Sequence, residues 1–255
     1  MKDTTIRNER NEVWRRRAWA LAYGIACHGT FALAVSILAR QLFVGMEGGM
    51  GRLDGALAFA ANALLVAQFP LLHSLLLSTR GRPWLSRMAP PGLGRRLGTT
   101  TFALISALQI FLTCALWSPM HVVVWSPGET GRVLLVLACA GAWMFLGKAL
   151  WDAGLGLQTG FIGWSAVWRD REPQYPGLRT HGLFAGCRQP VYLGFALVLW
   201  TGPTWTIDHL MIAVGWGAYC FIGPYFKERR CLSFYGSEFE TYRRRVPYFV
   251  PRLFS

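Results

Sequence analysis

Residues 131–150 read GRVLLVLACAGAWMFLGKAL, twenty positions with no acid or base between Arg132 and Lys148. At 1.5 Å rise per residue, about 20 such positions cover a hydrocarbon layer roughly 30 Å thick, so the stretch reads as a membrane-crossing helix. The same pattern extends in both directions. Apolar blocks at 18–44, 55–77 and 97–117 precede it, and two shorter, nearly continuous blocks at 191–205 and 207–226 follow. Between these last two, Pro203 and the polar Thr204, Thr206, Asp208 and His209 mark a tight hairpin instead of one long helix. The composition agrees: 53% of the 255 residues are hydrophobic and only 15% are charged, against about 25% in an ordinary soluble domain. The predicted fold is all-α, a polytopic membrane bundle of about six transmembrane helices with a C-terminal helical hairpin and a cytoplasmic tail helix.

Charge fixes the expected orientation, because cytoplasmic connections retain Lys and Arg. Of the 26 basic residues, 22 fall in four segments on one side. These are the N-terminus (Lys2, Arg7, Arg10, Arg15, Arg16, Arg17), the second connection (Arg80, Arg82, Arg87, Arg95, Arg96), the fourth (Arg169, Arg171, Arg179, Arg188) and the tail (Lys227, Arg229, Arg230, Arg243, Arg244, Arg245, Arg252). Both termini are therefore expected in the cytoplasm, as in a multi-pass protein of a bacterial inner membrane. The net charge of +13 sits in clusters beside spans, where it meets anionic lipid headgroups, so membrane lipids and not nucleic acid are the expected partners. No small-residue cleavage site follows a short apolar stretch, and the first block is long enough to span and remain.

The chain divides into a basic cytoplasmic N-terminus (1–17), four transmembrane helices (18–150) and a C-terminal region (151–255) containing a long connection, the hairpin at 191–226 and the tail. The second connection, 78–96, has a loop composition. The fourth opens on a Gly-rich stretch at 154–163 that reads as a flexible loop near a substrate. From Lys227 the tail reads as helix through Arg245, with Phe234, Tyr235, Phe239 and Tyr242 forming an aromatic stripe. The six cysteines contain no CxxC pair, so neither a disulfide framework nor a metal site is expected, and their default role is packing. No obligatory protein partner is evident.

The chemistry concentrates in THGLFAGCRQPVYLG at 180–194 and in PYFKERRCLSFYGSEFETYRRRVPYFVPRLF from Pro224. Together they resemble the integral-membrane methyltransferases related to isoprenylcysteine carboxyl methyltransferase and phospholipid N-methyltransferase, and most of all the nurim-like branch with methanethiol S-methyltransferase. That signature joins Gly-Leu and Arg-His-Pro-x-Tyr-x-Gly to a helical hairpin, Glu-Glu-Arg and Phe-Gly-x-x-Tyr. The branch adds a His-Ser pair, here His73-Ser74, a Trp-x-Pro-Met, here Trp117 to Met120, and a Pro-Thr-x-Thr-x-x-His, here Pro203 to His209. The resemblance implies binding of S-adenosylmethionine by Gly182, Arg188, Gln189, Pro190, Tyr192, Gly194, Glu228 and Arg229, with His73 and Glu228 in catalytic roles. Two positions depart from it. Gln189 stands where the family has His, and Lys227 where it has the first of two acids.

Residue chemistry fits such a cofactor independently. Glu228 can pair with its ammonium, and Arg188 or Arg229 with its carboxylate. Tyr192 can face the sulfonium as a cation–π partner, while Pro190 and Gly194 shape the backbone for close approach. Methyl transfer is an in-line substitution, for which alignment supplies much of the rate, and a thiolate acceptor asks for little further activation. The acceptor is then a small thiol or a lipophilic molecule. Plainer roles stand beside these: Arg188 and Arg243 to Arg245 as topogenic charge, Trp200, Trp205 and Tyr219 as interfacial or packing aromatics, Glu228 as a structural partner of Arg229 or Arg230, His73 as a satisfied intramembrane histidine, and Asp208 and His209 as caps of the hairpin turn. A nurim-like protein without catalysis is the alternative function. A reductase is a weaker one, since no dinucleotide fingerprint is present.

Overall fold

The computed structural model describes residues 2–250, which leaves Arg252 of the basic tail outside the described residues. The elements run α1 (Lys2–Phe43), α2 (Gly55–Leu77), α3 (Arg82–Met88), α4 (Gly94–Leu116), β1 (Val123–Trp125), α5 (Glu129–Gln158), α6 (Phe161–Trp168), a 3-10 turn (Gly182–Ala185), α7 (Pro190–Trp200), β2 (Trp205–Thr206), α8 (Ile207–Tyr235) and α9 (Ser237–Arg245). Four helices, Arg10–Phe43 within α1, α2, α4 and α5, are long and apolar enough to cross a membrane. Their outward faces carry large aliphatic side chains left open, with Leu64 and Met144 each 72% exposed, an arrangement that lipid satisfies and water does not. The chain is thus a multi-pass, all-helical membrane bundle.

The hairpin of α7 and α8 supplies the remaining two arms, and they are unequal. α8 has 29 residues and α7 only 11, so α7 is roughly 16 Å long, about half the layer. It stops at Trp200 and not at residue 205, because Thr201, Gly202 and Pro203 break the helix. A Cβ on Gly202 would lie 2.3 Å from the His209 ring, and Pro203 has no N–H to donate. α7 presses closely on α5: a Cβ on Gly194 would sit 3.0 Å from the Leu146 Cα. Around this contact Leu42, Met46, Trp117, Leu146, Val198, Ile212 and Trp216 form the central core.

Three expectations are corrected. The stretch at 154–163 is mostly helical: α5 kinks at Gly154, whose φ of +93° only glycine adopts easily, and α6 begins at Phe161. The second connection includes the short helix α3. The tail is two helices, divided at Gly236 (φ +51°).

The hairpin turn is also held differently from the sequence expectation. Thr206 caps α8, its hydroxyl accepting from the His209 N–H at 3.0 Å. Asp208 instead reaches out of the turn. Fully buried, it accepts from Trp117 Nε1 (2.8 Å), the Met120 N–H (2.9 Å) and Asn62 Nδ2 (3.4 Å). β1 and β2 pair antiparallel alongside, Val123 opposite Thr206. The Trp117 to Met120 and Pro203 to His209 motifs thus meet each other at the face remote from the basic clusters, where they lock the bundle.

At the opposite, basic face, Arg96 bridges Asp170 (3.4 Å) and Glu172 (2.8 Å), and Arg16 approaches Asp170 at 3.9 Å. These pairs tie α1, α4 and the connection after α6 together. Arg82, from α3, lies 5.2 Å above the Phe234 ring of α8.

Candidate active site

Pro190 opens α7, where a missing N–H costs nothing, and so fixes the direction in which Arg188 and Gln189 emerge at the basic face. α8 delivers Lys227 and Glu228 to the same place. Gln189 Nε2 donates to Glu228 Oε1 at 2.8 Å, and Lys227 Nζ donates to Gln189 Oε1 at 3.0 Å. Arg188 Nε meets Glu228 Oε1 at 2.9 Å, and the two side chains are only 11% and 12% exposed. One amide therefore bridges a cation and an anion, and the two departures from the family pattern, Gln189 and Lys227, contact each other. A glutamine does this because it offers an acceptor at one end and a donor at the other.

Arg188 also holds the tail. Its Nη1 donates to the carbonyls of Arg243 (2.8 Å) and Val246 (2.6 Å), and its backbone N–H donates to Pro247 O at 3.0 Å. Tyr242, on α9, donates to Phe184 O at 2.7 Å, while Phe239, Tyr242 and Val246 bury one another. The expected stripe is partly realised: Phe239 and Tyr242 face inward, and Phe234 is exposed.

Aromatic rings line the side of the cluster facing the bundle. Lys227 Nζ stands 5.6 Å from the Phe184 ring centre and 5.8 Å from that of Tyr192. Burial pulls its ammonium below the usual lysine range, an effect opposed by Cys231 and Glu228 and reinforced by Arg230. Burial likewise raises the Cys187 thiol beside it.

From Tyr192 the lining continues inward. Its ring lies 6.4 Å from that of Tyr219, whose hydroxyl bonds Ser74 at 3.1 Å, and Tyr219 is 6.3 Å from His73. His73 Nδ1 bonds Ser106 Oγ at 3.2 Å, and Phe69 and Phe102 flank the ring. A chain of contacts thus runs from His73 through Tyr219, Tyr192 and Lys227 to Gln189, Glu228 and Arg188. Other candidates stand apart from it. Gly194 serves the α5 contact. Gly182 (φ +63°) leaves room for Asp152, which accepts from the Leu183 N–H at 2.8 Å. Arg229 is exposed and stacks over Tyr225 at 5.9 Å. Sequence reasoning passed over Phe184 and gave Tyr219 a packing role. A separate cleft of about 380 Å³ lies at the Gly154 kink, lined by Tyr175, Pro176 and Arg179 among others.

The basic face of this helical membrane bundle thus gathers the motif residues around an acid and an aromatic wall. Along most of its length the chain is similar to curated methyltransferases. Methanethiol S-methyltransferase 2 of Bradyrhizobium diazoefficiens is 29% identical over 223 residues, 86% of this chain and 81% of its own length. The methanethiol S-methyltransferase of Mycobacterium tuberculosis is 27% identical over 246 residues, 92% of this chain and 97% of its own. That of a Pseudomonas species is 27% identical over 245 residues, 91% and 90%. No family model matches the chain.

Proposed function

We propose that this protein transfers a methyl group from S-adenosylmethionine to a small thiol, with its basic face and both termini in the cytoplasm of a bacterial inner membrane. Residues 151–255 are the catalytic region, and the helices of 18–150 are the scaffold that completes its inner wall. The observation carrying the reading is the contact between motif residues 39 positions apart, Gln189 and Glu228, beside the Lys227 ammonium that lies near the Tyr192 ring. The names of the relatives support the thiol acceptor.

The residues present fit the cofactor's charges. Lys227 already rests a cation against the Phe184 and Tyr192 rings, which is the environment a sulfonium needs. Glu228 offers the carboxylate for an ammonium. S-adenosylmethionine, when bound, supplies an electrophilic methyl group on that sulfonium. Tyr192 and Phe184 orient the cation, Glu228 anchors the opposite end, and the tail clamped by Arg188 excludes water.

Lys227 competes for the aromatic wall, and this has a pH signature. Its folded pKa lies below the ordinary lysine value, so protonation is lost as pH rises through that lowered value, and repulsion of an incoming cation is lost with it. Affinity for S-adenosylmethionine should therefore rise with pH. The groups facing Lys227 are Gln189, Glu228, Arg230, Cys187 and Cys231. Cys187 and Cys231 are the thiols whose charge acts on it, so Cys187→Ser and Cys231→Ser serve as controls. Lys227→Met should bind about tenfold more tightly near neutral pH, with the dependence flattened. Calorimetric titration from neutral pH upward to the ordinary lysine range reads both; an equal slope in the two proteins would remove Lys227 from the cofactor wall.

The overall reading is tested by titrating purified protein with S-adenosylmethionine and by supplying methanethiol and measuring dimethyl sulfide. Saturable binding and product formation are expected. Absence of both sinks the proposal.

A further inference from the structure

The 3-10 turn Gly182–Ala185 runs directly into Arg188 and Gln189, and within it the Phe184 ring stands 5.6 Å from the Lys227 ammonium. The turn's own bonds join the Phe184 N–H to His181 O (3.2 Å) and the Gly186 and Cys187 N–H groups to Leu183 O (3.3 and 3.1 Å). The Leu183 N–H is left over, as the first amides of any helical turn are. His181, in the capping position, offers it no side-chain bond. It donates instead to Asp152 Oδ2 at 2.8 Å. Asp152 lies on α5, 31 positions earlier in the chain, so the cap comes from a different helix.

The approach is close on both sides. The Asp152 side chain is 10% exposed, and its other oxygen, Oδ1, accepts from Lys148 one helical turn back, so each carboxylate oxygen has a donor. Facing it, Gly182 has a φ of +63°, and a Cβ there would lie 2.4 Å from Asp152 Oδ2. Another residue at 182 would be strained in its backbone and would push the carboxylate off the Leu183 amide. The tail holds the far side of the same turn, where Tyr242 donates to Phe184 O at 2.7 Å. Phe184, buried, is thus tied to α5 through the residue before it and to α9 through its own carbonyl. A ring held at both ends of its backbone keeps one face toward a cation, which a cation–π contact requires and plain apolar packing does not.

We propose that Asp152 is a positioning residue of the cofactor site, acting through the Leu183 N–H to hold the Phe184 ring against the sulfonium of the methyl donor. This rests on the reading of Phe184 and Tyr192 as the wall for that cation. Asp152 acts through the turn and not on the reacting atoms, and it moves no proton. Its effect separates the two forms of the cofactor. S-adenosylmethionine carries the cation, whereas S-adenosylhomocysteine, left after methyl transfer, has lost it and gains little from an oriented ring. Asp152 thereby favours loading of the donor over retention of the spent product.

The test measures binding of S-adenosylmethionine and S-adenosylhomocysteine by calorimetry in native protein, Asp152→Ala, Asp152→Asn, Lys148→Met and Phe184→Leu. Asp152→Ala should weaken S-adenosylmethionine about tenfold, the scale of one lost hydrogen bond. KM for the donor should rise with it, while KM for methanethiol and the affinity for S-adenosylhomocysteine change far less. Asp152→Asn keeps an oxygen for the Leu183 N–H and should recover most of the preference. Lys148→Met leaves that bond in place and should bind as native protein does. Phe184→Leu should reproduce the loss, and adding Asp152→Ala to it should cost little more. Equal weakening of both molecules in Asp152→Ala, the mark of a merely structural role, or an unchanged preference overturns the assignment. If Asp152→Ala does not fold, as judged by its melting curve, Asp152→Ser, too short to reach the Leu183 amide, is read on the same ratio. Native protein that does not prefer S-adenosylmethionine, or Phe184→Leu that keeps the preference, refutes the underlying wall. A preference lost in Phe184→Leu and kept in Asp152→Ala refutes this inference alone.

Discussion

Glu228→Ala should abolish measurable binding of S-adenosylmethionine and cost about 3–5 kcal/mol of stability, the range for removing one partner of a buried ion pair. The carboxylate receives Arg188 Nε at 2.9 Å, Arg188 Nη2 at 3.4 Å and Gln189 Nε2 at 2.8 Å. Its loss strands a guanidinium that is 11% exposed and frees the amide that positions Lys227. The damage is then transmitted to the tail, because the same guanidinium holds the carbonyls of Arg243 and Val246. Glu228→Gln keeps an acceptor but removes the charge, so it should lose cofactor affinity with a smaller drop in melting temperature. Arg188→Met combined with Glu228→Ala should be less destabilised than the two single changes added together, since no orphaned charge remains. Melting curves and calorimetry separate these effects. An unaltered affinity in Glu228→Ala would disprove the assignment of Glu228 to the cofactor.

Asp208→Ala should cost a comparable amount of stability, about 3–5 kcal/mol, with little direct effect on chemistry in whatever fraction folds. No solvent reaches Asp208 to replace it. Trp117 Nε1, the Met120 N–H and one bond of Asn62 would lose their acceptor together. Each buried donor left unsatisfied costs about 1–3 kcal/mol. Asn62 retains Ser118 O at 2.8 Å, so the sum falls short of three full penalties. Asp208→Asn should be intermediate, since an amide oxygen serves one or two of the donors but its NH₂ faces a third. Hydrogen exchange at the Met120 amide reports the local opening and melting temperature the global effect. Protection unchanged at Met120 would count against the role of Asp208.

The difference between Asp208 and the reading of it as a turn cap shows where sequence stops being informative. Apolar length is a local property, and α2 begins and ends where its hydropathy does, at Gly55 and Leu77. α1 runs upstream of residue 18 because hydropathy marks only the lipid-facing part of a helix whose basic continuation is also helical. Thr206 and Asp208 are both good caps by type, and only the contact with Trp117, 91 positions away, decides their division of labour. The proximity of the candidate residues was legible, since motif spacing placed Gln189, Tyr192 and Glu228 on the two arms of one hairpin. Their connectivity was not. Gln189 and Lys227 read as two separate departures, and only the 3.0 Å bond between them makes them one coupled change.

The 30-residue α5 packs directly against the 11-residue α7. Such a pair cannot match one bilayer thickness: lipid beside α5 is stretched or the helix tilts, while lipid beside α7 thins toward Gln189. A pair so unequal favours a thinner leaflet beside Gln189. In the proposed reaction a water-soluble donor and a hydrocarbon-soluble acceptor would then meet at one depth, and the transfer would be one between phases.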